Sequence, residues 1–290
     1  MTMGAIQPYK KWWREILLSL LLILNLLVWS ILYGNESSNT LTVYFLDVGQ
    51  GDAILIDTPN RKRVLIDGGK NRKVVSEIGR ILPFSDKRID VVLATHPDAD
   101  HIGGLPEIIS RYDVEIFIEP SVAAANDIDA ELERRVEKEG VKKVLAQRGQ
   151  VIDFGDGARL TILFPDRDVS SWETNDASIV ARLDYGESSF LFTGDAGIKT
   201  ENILIASAPT ILNIDVFKAG HHGSRTSTSL TFAEVTSPEF AVISAGKDNT
   251  YGHPHEEVIS ILERVGSNVL NTADEGTIKF QTDGVTLRVN

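Results

Sequence analysis

Apolar, β-branched runs alternate with amphipathic helical stretches along most of this chain. That alternation predicts an α+β fold of two mixed sheets packed face to face, with helices over the outer faces, an αββα sandwich. Two further observations support the prediction. Strand-rich blocks open and close each half of the sequence, with helices interspersed, and a nearly continuous apolar segment stands apart at the N-terminus. The 290 residues, 42% hydrophobic, suffice for one large domain or two small ones.

The apolar segment comes first. Ile16 to Tyr33 is interrupted only by Ser19, Asn25 and Ser30. At a helical rise of ~1.5 Å per residue it spans roughly 27 Å, close to a bilayer core. Lys10, Lys11 and Arg14 precede it, and Trp12, Trp13, Trp29 and Tyr33 sit at or near its ends as interfacial aromatics. No basic residue follows until Arg61. Residues 1–15 are therefore expected in the cytoplasm, residues 16–33 across the cell membrane, and everything after Gly34 outside, on a single-pass anchor. A cleaved signal peptide is the rival reading. The apolar run is long for one, and nothing resembling Ala-x-Ala follows it.

Residues 34–40 form a short polar linker, leaving 41–290 as the folded domain. Strands are expected at Leu41–Val48, Ala53–Thr58 and Arg63–Asp67, where apolar runs end in glycine turns. Helix Val74–Leu82, strand Val91–Thr95, helix Ile102–Tyr112, strand Glu115–Ile118 and helix Asn126–Glu139 follow. The charges from Asp127 to Lys143 are the solvated face of that last helix. The second half reads as strands Arg159–Phe164, Ser178–Tyr185 and Ser188–Thr193, helix Ile198–Ala208, strands Ile214–Lys218 and Phe240–Ser244, helix His255–Val265, and closing strands Ile278–Thr282 and Val285–Val289. No period suggests solenoid repeats.

Composition excludes several chemistries. With no cysteine, the chain has no disulfide, no thiolate nucleophile and no cysteine-ligated zinc or iron–sulfur site. A formal net charge of -12 argues against a general duplex-DNA binder, which needs clustered Lys and Arg. It leaves room for a phosphate ester gripped at a metal centre, because bound divalent ions reverse the local field.

The six histidines fall in three tight pairs, His96 and His101, His221 and His222, His253 and His255, each beside glycine or proline near the end of an expected strand. Scattered core or surface histidines would not cluster in this way, so the pairs point to a functional site. The densest segment is His96-Pro97-Asp98-Ala99-Asp100-His101. Imidazole and carboxylate together suit zinc, manganese or iron, and a turn after a strand lets these side chains converge. His96 and Asp98 would serve one ion, Asp100 and His101 another. The plainer alternative is an acidic loop at a helix start. Asp195 ends the run Phe190-Leu191-Phe192-Thr193 at Gly194, which delivers it at a strand tip.

Five segments, in order, resemble one family: Phe45-Leu46-Asp47-Val48-Gly49-Gln50-Gly51-Asp52-Ala53; Leu65-Ile66-Asp67-Gly68-Gly69; Thr95 to Gly104; Phe192-Thr193-Gly194-Asp195; and Gly220-His221-His222-Gly223-Ser224. From about Leu41 to Asn290 the chain resembles the metallo-β-lactamase superfamily, αββα sandwiches that act as metal-dependent hydrolases. Within it the likeness is to the C-terminal hydrolase domain of ComEC-type competence proteins, which Tyr251-Gly252-His253-Pro254-His255 also resembles. The resemblance implies two divalent ions, Zn2+ or Mn2+, bridged by Asp195. It implies His222 as the last ligand beside Asp100 and His101, with His221 as the alternative. Asp47 and Asp67 would be carboxylates that orient ligand imidazoles, or caps of glycine turns.

The sequence departs from the superfamily pattern twice. Asp98 stands where the usual His-x-His-x-Asp-His turn has its second histidine, as in ComEC-type domains. No histidine lies between His101 and His221, so the middle histidine ligand is absent. Asn175 or Asp176 is the expected substitute. An oxygen-rich first site shifts the preference toward manganese and leaves double occupancy open.

The chemistry implied is attack by metal-activated water, which needs no serine or cysteine nucleophile. Asp100 is expected to act in catalysis as well as in binding. His253 is a candidate acid for the leaving group or a donor to phosphate; the alternative is a cap on the helix near His255. Ser178 and Ser224 read as hydrogen bonders to substrate or turn. Lys70, Arg72, Lys73 and Arg225 would lend a basic rim. The leading expectation is hydrolysis of a phosphodiester such as single-stranded DNA by a membrane-tethered domain, with transport left to a separate channel protein. Hydrolysis of a small or wall-linked ester, lactone or β-lactam is the second expectation. A weakly metallated, non-catalytic partner of a channel is the third.

Overall fold

The computed structural model describes residues 9–33 and 39–290. Most of the predicted linker, and the first part of the predicted cytoplasmic segment, lie outside the described residues. The chain divides into residues 1–38 and a compact unit, residues 39–290. In the first unit, helix α1 (Tyr9–Tyr33) begins before the predicted Ile16, since the preceding Trp and Arg residues continue the helix. Its stretch Trp12–Trp29 is long and apolar enough to cross a membrane, and its side chains are exposed.

The compact unit opens with antiparallel strands β1 (Leu41–Phe45), β2 (Ile54–Asp57) and β3 (Arg63–Ile66). Helix α2 (Lys73–Ile81) then crosses to β4 (Arg88–Leu93), parallel to β3. Helices α3 (Ala99–Ile102) and α4 (Leu105–Arg111) lead to β5 (Asp113–Glu119), and α5 (Asp127–Glu139) leads to β6 (Lys142–Leu145), both parallel additions. The second sheet begins with antiparallel β7 (Val151–Asp153), β8 (Arg159–Phe164), β9 (Val180–Tyr185) and β10 (Ser188–Phe192). Helix α6 (Ile198–Ser207), β11 (Val216–Lys218), α7 (Leu230–Thr236), β12 (Phe240–Ile243), α8 (Glu256–Arg264) and β13 (Asn268–Asn271) add its parallel half. After the short α9 (Thr272–Glu275), β14 (Ile278–Thr282) and β15 (Leu287–Val289) return to pair beside β1.

Each sheet is therefore antiparallel at one end and parallel at the other, in the orders β15-β14-β1-β2-β3-β4-β5-β6 and β13-β12-β11-β10-β9-β8-β7. The period-two alternation of β1 sends Leu41, Val43 and Phe45 into the core between the sheets, where Phe45, Phe192, Phe190 and Phe280 meet ring to ring. Strands β3, β10 and β11 are buried at every residue, which is why they read as unbroken runs rather than alternating ones. A second core lies under α2, α4 and α5, and a third under α6, α7 and α8. Helix, sheet, sheet and helix thus form four layers, the predicted sandwich. A fully buried aromatic or aliphatic side chain contributes about 1.5–3 kcal/mol of transfer free energy.

The predicted strands overrun at Val48, Asp67, Thr95 and Thr193, where the chain leaves the ladder, and they start two residues early at Ser178, Ile214 and Val285. The predicted single helix Ile102–Tyr112 is two helices, broken at Gly103 and Gly104. A Cβ on Gly103 would lie 2.1 Å from the Lys70 carbonyl oxygen, so the break lets the loop after β3 pass against the helix start. The exits of β3 and β4 lie side by side, as do those of β10, β11 and β12, because neighbours in each group are parallel. Ile179 N–H, at the entry to β9, donates to the Thr95 carbonyl past β4 and ties the two sheets here, while His221 N–H donates to the Gly194 carbonyl between the exits of β11 and β10.

Candidate metal centre

Seven of the predicted residues, Asp67, His96, Asp98, Asp100, His101, Asp195 and His222, meet at these strand exits. Asp67, just past β3, is fully buried at a positive φ of 59°. Its carboxylate accepts from Thr95 N–H (2.7 Å), Thr95 Oγ1 (2.7 Å) and His101 Nδ1 (2.7 Å). Because Thr95 gives its proton to Asp67, its oxygen is free to accept from His96 Nδ1, 3.0 Å away. Both imidazoles at the exit of β4 are thereby held with Nδ1 protonated and the Nε2 lone pair bare. On the other sheet His222 Nδ1 faces Asp52 Oδ1 at 3.3 Å, and Asp52 Oδ2 binds Lys218 Nζ at 2.7 Å. Lys218, fully buried, also donates to the Ala219 carbonyl.

The bare nitrogens converge. His101 Nε2 lies 3.3 Å from His222 Nε2 and 3.2 Å from Asp195 Oδ1. His222 Nε2 lies 3.5 Å from both Asp100 Oδ2 and Asp195 Oδ2. With each Nδ1 already facing a carboxylate, neutral rings bring two lone pairs and two carboxylates together with no proton between them. That donor set calls for a cation. Four ligands at ~2.0–2.1 Å from a tetrahedral ion are about 3.3 Å apart, which matches these separations. The residues present fit a divalent ion held by Asp100, His101, Asp195 and His222. Asp52, His101, Asp195 and His222 also offer one atom each within 4.8 Å of one another. Asp52, however, reaches the far ring nitrogen of His222 and is committed to Lys218, so it orients the ligand from behind.

The other predicted pair lies on the opposite side of Asp195. His96 is fully buried and its Nε2 has no hydrogen-bond partner among the described residues. It stands 3.8 Å from Asp98 Oδ2 and 3.9 Å from Asp195 Oδ2.

The metallo-beta-lactamase superfamily sequence model matches residues 46–247, which contain every residue placed above. This chain belongs to the metallo-β-lactamase superfamily. It is 33% identical over 257 residues to ComE operon protein 3 of Bacillus subtilis, covering 82% of this chain and 33% of that protein. Against Recombination protein 2 of Haemophilus influenzae the identity is 34% over 254 residues, covering 86% and 30%. Against competence protein ComA of Neisseria gonorrhoeae it is 29% over 246 residues, covering 84% and 32%. The chain thus spans about a third of the length of the curated relatives it matches. Among solved structures, the metallo-β-lactamase fold protein YhfI of Bacillus subtilis superposes with a TM-score of 0.56 at 14% identity, covering 83% of this chain and all (100%) of that one. The diiron β-hydroxylase CmlA of Streptomyces venezuelae gives 0.55 at 15%, covering 79% and 52%. Both show the same fold.

Protons and a divalent ion compete for the lone pairs of this metallo-β-lactamase centre. Burial opposes charge on His101 and His222, but Asp195 outweighs it, with Asp67 helping His101 and Asp52 helping His222. His101 is raised well above its ordinary value and His222 to about 9. Asp195, although buried, is held well below the carboxylate range by His101 and His222. Burial is likewise outweighed at Asp100, lowered by its hydrogen bond to His222 and the charge on His101, and at Asp52, lowered to about 2 by Lys218 and His222. His96 moves the other way: burial and the charge on His101 push it down to about 3, so its Nε2 is an available ligand at neutral pH.

The remaining predicted residues are placed differently. Asp47 reaches no imidazole; it accepts from Gly49 N–H and pairs with Lys73, so here it caps a glycine turn. Asp176 turns toward Lys199, 3.6 Å away. Asn175 Oδ1 is buried without a hydrogen-bond partner among the described residues. Ser178 Oγ accepts from Asp195 N–H and so positions the shared carboxylate. Ser224 Oγ accepts from Thr226 Oγ1, which also meets His221. His253 caps no helix, since the N-cap of α8 is His255 and makes no side-chain bond; the His253 ring lies 5.5 Å from that of His221. Three rim cations are paired with acids: Arg72 with Glu107, Lys73 with Asp47 and Arg225 with Glu257.

Asp52 was missed as a site residue. The signal for it was Lys218: a lysine ending the apolar run Val216-Phe217 in a buried parallel strand requires a buried carboxylate.

Proposed function

We propose that this chain is a metal-dependent phosphodiesterase acting on nucleic acid, held at the outer face of the cell membrane by its N-terminal helix. The observation that carries the reading is the set of bare imidazole nitrogens and carboxylates around Asp195, in a chain whose relatives include a Recombination protein 2 and a competence protein ComA. The charge asymmetry flanking the apolar helix supports the extracellular placement, and a separate channel protein is the expected partner. Single-stranded DNA is the favoured substrate.

Divalent ions, zinc or manganese, would supply Lewis acidity and an activated water at neutral pH. The protein's own contribution is preorganisation. Asp67 holds His101 in the tautomer that presents Nε2, Asp52 faces His222 Nδ1 at 3.3 Å from behind, and Ser178 holds the Asp195 backbone. Asp100 and Asp195 would hold the ions with their negative charge, and the positive charge left over would attract a substrate phosphate. His253 is lowered to about 4 by burial and by His221 and His222, so at neutral pH it is an uncharged ring. Of the two roles expected for it, it therefore suits a hydrogen bond to a phosphate oxygen better than that of acid for the leaving group.

The full chain in detergent, loaded with Mn2+ or Zn2+, should hydrolyse bis(p-nitrophenyl) phosphate and degrade single-stranded DNA, and leave nitrocefin essentially untouched. Efficient nitrocefin turnover with inert phosphodiesters overturns the proposal. The paired rim cations favour one second reading, hydrolysis of a small or wall-linked ester or lactone, which the same assay separates. Binding of ions without turnover of any of these substrates would favour a non-catalytic channel partner.

A further inference from the structure

We infer that His221 is itself a metal ligand, standing in for the histidine absent between His101 and His221 and completing a second position with His96, Asp98 and Asp195. The Gly-His-His-Gly turn would then serve two ions with one histidine each, in place of the choice between His221 and His222 that the sequence left open.

Three observations carry this. The first is the backbone. His221 (φ 46°, ψ 48°) and His222 (φ 54°, ψ 26°) are consecutive non-glycine residues in the left-handed region, a costly arrangement that persists where the surroundings require it. Its consequence is to splay the two rings to an interplanar angle of 72°, so that His222 Nε2 and His221 Nε2 approach the same Asp195 Oδ2, at 3.5 Å and 3.7 Å. The second is the tautomer. Thr226 Oγ1 donates to Ser224 Oγ and lies 3.0 Å from His221 Nδ1, so it is free to accept that ring's proton and leave Nε2 bare. Thr95 does the same for His96.

The third is the partner set. His96 Nε2 is buried with no hydrogen-bond partner among the described residues, 3.8 Å from Asp98 Oδ2 and 3.9 Å from Asp195 Oδ2. Two ligands at ~2.1 Å from one ion lie about 3–4 Å apart, depending on the angle between them. All three separations fall within that span. Asp176, the substitute expected from sequence, is directed at Lys199 instead.

The test is calorimetric titration of metal-stripped full-length chain in detergent with Mn2+, together with electron paramagnetic resonance for coupling between two Mn2+ ions. Wild type should bind two ions and show coupling. His221→Ala should lose the weaker event by more than a hundredfold and show uncoupled Mn2+, with the tighter constant changed less than threefold. Thr226→Val should weaken the same event by about tenfold, the scale of an outer-shell loss. Asn175→Ala should leave both constants alone. Two ions bound by His221→Ala with wild-type affinity, or loss of the weaker event in Asn175→Ala instead, overturns the assignment, as does a single event in wild type. Should His221→Ala fail to fold, Thr226→Val carries the test, and an unchanged weaker constant overturns it. Because the readout is binding, a catalytically inert protein that holds two coupled ions would refute the proposed activity and leave this inference standing.

Discussion

The two sides of Asp195 hold their imidazoles by different means. On the His101 and His222 side both rings are buried, and each Nδ1 faces a buried carboxylate, Asp67 or Asp52, the latter paired to a buried lysine. On the His96 and His221 side the Nδ1 partners are hydroxyls, Thr95 and Thr226, and Asp98 is 38% exposed. A carboxylate behind a ligand imidazole raises its basicity and fixes its ring; a hydroxyl fixes the ring with less charge. On the two-ion reading proposed above, the first side would bind its ion tightly and the second more loosely, with manganese better tolerated there than zinc. Such an order of affinities is written in the layer behind the ligands, not in the ligands alone.

The largest expected effect removes the one group both sides share. Asp195→Ala should abolish both binding events and lower the proposed phosphodiesterase activity by more than the 10–100-fold typical of changes behind the ligands. Metal analysis of dialysed protein with an unchanged circular dichroism spectrum checks it; two retained ions would show that the sides are independent.

Next comes the layer behind the tight side. Lys218→Met leaves Asp52 buried without its counter-charge, and breaking a buried pair from one side costs about 3–5 kcal/mol. Urea denaturation should show that loss. Asp52→Asn with Lys218→Met together should recover much of it, since no charge is then orphaned, while the tight metal constant stays weakened. A double variant as unstable as the single one would mean that shape rather than charge fixes the lysine.

The comparison also has a pH signature. His222 in metal-free protein titrates at about 9, above the ordinary 6.5 of an unfolded chain. Its contribution to stability is complete below about 6.5 and is lost as pH rises through about 9, a change on the order of 3 kcal/mol at most. His101, also raised, acts in the same direction. EDTA-treated protein should thus lose urea resistance between pH 7 and pH 9.5, while metal-loaded protein, whose ion replaces those protons, should hold its midpoint. Parallel curves with and without metal would break the argument.

Much of the fold could be read from the sequence because its strands are long apolar runs with clear ends, and the residues gathered at the site occupy those ends. Short edges were not legible: β6, β7 and β13 carry exposed residues at positions where a core-facing pattern is needed. Helix α7, Leu-Thr-Phe-Ala-Glu-Val-Thr, mixes β-branched residues into a helix started by the Ser229 cap. Asp52 escaped notice because its meaning depends on Lys218, which is distant in sequence and adjacent only once two sheets close. The direction of His221 depends on two positive φ angles that flanking glycines hint at without specifying.

The smallest expected effect contrasts two aspartates of a single loop. Asp47 and Asp52 both sit in the turn after β1, and sequence reading favoured Asp47. Asp47 binds Gly49 N–H and Lys73, with side chains about a third exposed, 34% and 39%. Asp52 is 2% exposed and stands behind a ligand imidazole. Losing an exposed pair of the first kind costs roughly 0–1 kcal/mol, and nothing in it touches a donor atom. Asp47→Asn should therefore lower stability by less than about 1 kcal/mol and leave both metal constants within threefold of wild type. Asp52→Asn should weaken the tight site by about 10–100-fold, because the amide cannot hold the imidazole proton as a carboxylate does. Calorimetry on the two variants decides the matter. Equal losses would mean that the loop acts through its backbone packing on Asp100, where a Cβ on Gly51 would lie 2.0 Å from the Asp100 carbonyl oxygen.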